Sequence, residues 1–162
     1  MNQQTLSEKK KEDLVTGLYV GLILVLIAVI YSINGATNLG NVFVKFFGSF
    51  VLAQVPGTSI FLPAPLNPAA FSVIYNVAFE FCLGIGLLEV LVLSLRIMLH
   101  SPLPRKAETI ENIVFWLGTS YLAFTYLANM VIMSDWFVFW AGIILIGGLS
   151  LVARAFVLIA RH

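Results

Sequence analysis

The chain has 162 residues, of which 60% are hydrophobic and 10% charged, with a mean hydropathy of +0.98. Soluble domains carry about 25% charged residues, so this composition excludes an ordinary water-soluble globule and reads as an integral membrane protein. The net charge of +1 lacks the basic excess that nucleic-acid binding needs, so no nucleic acid is expected as a partner.

Residues 1–13 read as a cytoplasmic tail. Span 1 follows over 14–33, uncharged and as long as the ~20 residues a membrane crossing requires. It is longer than the apolar region of a signal peptide, and INGATN makes a poor cleavage site, so a retained anchor helix is expected. Gly17 and Gly21 form a GxxxG pair, with Ala28 and Ser32 continuing the same small face. Such faces let membrane helices approach closely.

The 34–70 connection is long for a plain linker. Phe43, Phe46, Phe47 and Phe50 recur at helical spacing, with Asn41, Lys45 and Ser49 on another face. This pattern predicts an amphipathic helix over 41–54, lying in the outer interface as a lid or as a lipid- or partner-binding surface. The stretch VPGTSIFLPAPLNPAA then carries Pro56, Pro63, Pro65 and Pro68, which predicts extended, turn-rich chain.

Span 2 is expected over 71–99, with Gly84 and Gly86 as packing positions. A cytoplasmic loop over 100–109 leads to span 3 at 110–133. Ser134 and Asp135 then turn the chain into span 4 at 136–159. The expected architecture is an all-α membrane domain of four transmembrane helices in an antiparallel bundle. Eight of the nine Lys and Arg residues fall on one side of this layout, and only Lys45 falls on the other. The positive-inside rule then puts both termini in the cytoplasm of a multi-pass cell-membrane protein.

The ionisable residues inside the apolar spans are the candidate site, because burial at bilayer depth costs roughly 2.5–3.5 kcal/mol on insertion scales. Arg96 lies near a span end, where it can snorkel. Glu89 precedes Arg96 by the spacing that separates Arg154 from Arg161, which predicts a Glu89–Arg154 pair between spans 2 and 4. Glu80 lies half a turn away from Glu89 and is expected in a separate polar cluster with Asn76, Thr125 and Asn129. That cluster serves either structure or the handling of a proton or ligand. Cys82, the only cysteine, reads as a small packed hydrophobe. No His lies within a span and no Walker, HExxH, GxSxG or CxxC motif is present. No metal site and no catalytic group is therefore expected.

The phenylalanine segment Phe43–Phe50, the run LPAPLNP, and Glu80 followed by Gly84 resemble the DoxX-like small four-span membrane proteins. The resemblance implies a subunit linked to thiosulfate and quinone chemistry, for which a quinone would be the cofactor; the residues themselves predict no cofactor. The residues themselves favour a non-catalytic accessory subunit or structural component of a membrane complex, partnered by lipid and by other subunits or itself. A small oligomeric proton-coupled transporter using Glu80 and Glu89 is the alternative.

Overall fold

The computed structural model describes residues 3–34, 36–128 and 132–160. The chain is mostly helical. Three of its helical stretches are long and apolar enough to cross a membrane: Lys10–Ile33, Pro68–Met98 and Met133–Ile159.

Helix α1 runs over Gln3–Ile33. It starts well before the apolar span, because the preceding Glu- and Lys-rich segment holds good helix formers and no Gly or Pro. Helix α2 covers Ala36–Gly48, so the expected helix over 41–54 begins earlier and stops sooner. Strand β1, Phe50–Gln54, takes over its second half and pairs antiparallel with β2, Phe61–Pro65. The all-α expectation is corrected here by a β-hairpin.

Two devices allow this proline-rich hairpin. Val55 to Thr58 form a turn closed by the Thr58 N–H on the Val55 carbonyl at 3.1 Å, with Gly57 at φ 76°. Pro at the second position and a positive-φ Gly at the third are the requirements of a type II turn. Within β2, the even-numbered residues face the ladder, as the Leu66 N–H to Ser49 carbonyl bond of 2.9 Å shows. Pro63 and Pro65 have the opposite parity, so no ladder hydrogen bond needs their missing donors. The outward Pro63 carbonyl accepts instead from the Trp136 indole N–H at 3.1 Å.

A 3₁₀ turn over Pro68–Phe71 leads into α3, Ser72–Met98. Helix α4, Leu103–Leu122, continues as a π-helix over Ala123–Ala128. It begins inside the expected 100–109 loop, with Pro104 in its first turn, where a missing N–H costs nothing. Helix α4 is not among the three strongly apolar helices, because Arg105, Lys106, Glu108, Glu111 and Asn112 crowd its first half. Helix α5 spans Met133–Ile159 and takes Ser134 and Asp135 into its first turn, where an acidic residue suits the positive helix end. The expected two-residue turn at these positions is therefore helical.

The long helices pack in the order α1, α3, α4, α5. Leu26 seats on Gly84, and Glu12 meets Arg96, so α1 and α3 run antiparallel. Leu117 seats on Gly86 and Asn112 meets Glu89, so α3 and α4 do too. Ile146 seats on Gly118 and Leu122 on Gly142, which sets α4 against α5. From Lys106 to Ser120 every residue of α4 is at least partly covered, because its neighbours pack on both sides.

At the far end an aromatic cluster joins the hairpin and α2 to the helices. Phe46 is 7% exposed and stacks edge-on against Phe71, Tyr75 and Trp136 at 5.2, 6.0 and 6.2 Å. Phe47 faces outward at 66% exposure. Only one position of the phenylalanine stripe is thus fully spent on packing.

Candidate functional site: the Glu89 cleft

Glu89 is 3% exposed, the most buried of the acidic and basic residues described. Its Oε1 accepts from the Asn112 amide of α4 at 3.0 Å, and the Tyr19 hydroxyl of α1 bonds to it as well. Two neutral donors therefore hold the carboxyl between three helices. Among the described residues no Lys or Arg lies within ion-pair distance of it.

A second polar layer lies two turns away. The Arg96 guanidinium donates to the Arg105 carbonyl at 2.8 Å and to the Thr109 hydroxyl, while its Nε sits 3.7 Å from Glu12 Oε2. Its side chain is 12% exposed. Arg96 therefore turns inward, in contrast to the snorkelling expected from its place near a span end. It ties α3 to α1 and α4 through Glu12, the Arg105 carbonyl and Thr109.

The two layers share one spacing. Glu12 and Tyr19, Arg96 and Glu89, and Arg105 and Asn112 are each seven residues apart, close to two helical turns or ~10.5 Å. Between them lies a cavity of about 210 Å³, lined by Tyr19, Glu89, Arg96, Arg105, Glu108 and Asn112 among others. Arg105 and Glu108, paired at 3.1 Å, are 55% and 43% exposed and mark its solvent-facing rim. Glu89 forms its floor.

The other expected site residues fall elsewhere. Arg154 pairs with Glu111 at 2.9 Å, not with Glu89. The matched spacing from Arg96 and Arg161 implied a common depth, but α4 lies between α3 and α5 and supplies the nearer acid. Glu80 Oε2 accepts from the Asn34 side chain at 2.9 Å. Asn76 and Thr125 are exposed, and among the described residues the bond to Glu80 comes from Asn34 in place of the expected cluster. Asn129 lies outside those residues. Gly84 and Gly86 receive Leu26 and Leu117, whereas nothing stands within 4 Å of a Cβ placed on Gly17 or Gly21. Cys82 is buried.

Tyr19, Asn112, Glu111 and Asn34 are site residues that the sequence reading passed over. The repeated seven-residue spacing across three segments is the signal that could have found the first two. Among the described residues no group of three or more His, Cys, Asp or Glu side chains is arranged to hold a metal.

No family model, curated protein or solved structure matches this chain.

Proposed function

We propose that the chain is a four-span membrane protein, with both termini cytoplasmic, whose working group is the Glu89 carboxyl. Helix α4 is the fourth span in this reading. Its polar residues tolerate bilayer depth because α3 and α5 shield them. The cleft then opens toward the cytoplasm, and Glu89 gives and takes a proton at its floor, as part of a proton-coupled membrane carrier or assembly. The observation that carries the reading is a carboxyl 3% exposed, held by neutral donors alone, at the floor of a polar cavity. Ionisable groups kept at bilayer depth characteristically mark proton and ion pathways.

A hydrophobic carbodiimide tests it, since these reagents modify protonated carboxyls in apolar surroundings. In reconstituted vesicles Glu89 should be labelled, more so as the pH falls, and Glu89→Gln should remove the adduct and any proton flux. Absence of label at every pH from acidic to neutral would sink the reading. Topology is checked by single cysteines at Ser59 and Ser101 in a Cys82→Ser background. An impermeant thiol reagent added to intact cells should reach position 59 and not position 101.

A second reading, a non-catalytic subunit of a larger membrane complex, is favoured by α1. Only 11% of its apolar window is buried within the chain, and Gly17 and Gly21 face open space. Mild solubilisation followed by mass determination distinguishes the two. A single discrete hetero-complex, with no proton flux from the chain alone, supports the subunit role.

A further inference from the structure

A cavity of about 500 Å³ lies between α1, α2 and α3. Its walls include Ile27 and Ile30 of α1, Leu39 and Phe43 of α2, and Val77 and Phe81 of α3. Among the described residues of its lining, Tyr31 alone carries a polar side-chain atom. Ligand pockets commonly span ~300–1,000 Å³, so the volume suits an occupant. Water is a poor one, because a buried water needs about three polar partners. A hydrocarbon chain meets the lining without loss.

One border of this groove is polar. Asn34 follows Ile30 and Tyr31 by about a turn, and Glu80 adjoins Phe81 and follows Val77. The Asn34 amide holds Glu80 at 2.9 Å and also donates to the Ile30 carbonyl at 3.0 Å. Asn34 follows the last residue of α1, where the apolar run of that helix ends. Glu80 has no Lys or Arg within ion-pair distance among the described residues. A carboxyl held by a neutral amide, next to an apolar groove, complements an amphiphile with a cationic head and repels one with only negative charge.

We propose that the groove holds one hydrocarbon chain of a bilayer lipid bearing an ammonium headgroup, with the ammonium on Glu80. Asn34 positions the carboxylate, and the α1–α2–α3 walls exclude bulkier, polar solutes. The site is independent of the Glu89 cleft, and its failure would leave that reading untouched.

The test uses the full chain in mild detergent, titrated with dioleoyl phosphatidylethanolamine or dioleoyl phosphatidylglycerol and followed by native mass spectrometry. The two lipids differ only in the headgroup. The ethanolamine lipid should bind roughly tenfold more tightly, the scale of one hydrogen bond to a charged group. Glu80→Gln keeps the shape and the Asn34 contact, and should bring the two affinities together. Gly40→Leu puts a side chain into the groove, and nothing stands within 4 Å of a Cβ there, so it should abolish binding of both lipids while helical circular dichroism is retained. Equal affinities in the unmodified chain would overturn the role of Glu80. Unchanged binding in Gly40→Leu would overturn the groove, as would an isoprenoid occupant recovered in place of a lipid.

Discussion

Arg154 Nη1 lies 2.9 Å from Glu111 Oε2, so the basic residue of α5 is neutralised by the helix beside it and leaves Glu89 without a cation. The side chains are 43% and 19% exposed, which weakens the pair relative to a fully buried one. Glu111→Gln and Arg154→Gln should show a coupling of roughly 0.5–1 kcal/mol in a double-mutant cycle. Glu89→Gln and Arg154→Gln should be additive. Reversible unfolding in mixed micelles gives both values, and coupling in the second cycle would contradict the structure.

Tyr19 and Asn112 divide the task of holding Glu89. Tyr19→Phe and Asn112→Leu should each destabilise by about 1–3 kcal/mol, because each leaves a buried carboxyl short of a donor. In a Glu89→Leu background the penalty for Tyr19→Phe should largely vanish, since its partner is gone. A penalty that persists undiminished would mean that Tyr19 stabilises through packing alone.

The glycines should separate into two classes. A Cβ on Gly84 would stand 2.5 Å from Leu26 Cδ1, and one on Gly86 would collide with Leu117. Gly84→Ala and Gly86→Ala should therefore cost about 1–3 kcal/mol through overpacking. Gly17→Ala and Gly21→Ala meet open space and should leave monomer stability equal or raise it slightly. If they instead disrupt an oligomer seen by cross-linking, the open face of α1 is an interface.

The hairpin offers a parity test. Pro63→Ala should be nearly neutral, because the restored N–H points away from β1. Ala64→Pro should unpair the strands, since residue 64 faces the ladder and is fully buried. Gly57→Ala should cost about 1 kcal/mol at its φ of 76°. Amide hydrogen exchange at Val51 and Ala53, whose N–H groups face β2, reports each outcome. Fast exchange in Pro63→Ala would show the register to be wrong.

The apolar runs of α1, α3 and α5 were legible because a bilayer demands long uninterrupted stretches, and these stand out by length alone. Helix α4 was harder to read, since its polar first half makes sense only once α3 and α5 cover it. The hairpin was missed although VPGT carries a complete type II turn. Phenylalanines at helical spacing masked the change of period at Phe50, and prolines argued against a strand until their parity was known. Glu89 stood out because a lone carboxylate in an apolar run is costly wherever it points. Its partners did not, because Tyr19 and Asn112 are unremarkable until antiparallel packing brings equal spacings level with each other.

The contacts along α1 also bear on how the chain recognises its own alignment. An apolar seam between two helices is forgiving, and a slide of one turn exchanges one set of methyl contacts for another. Here Glu12, Tyr19 and Asn34 engage Arg96, Glu89 and Glu80 at intervals along the same pair of helices. A slide of α1 by a single turn would strip all three partners at once, so the polar contacts act as a vernier that admits one setting. The ionisable groups that make α3 expensive to insert thereby give the assembled chain a unique register, which greasy surfaces alone would not.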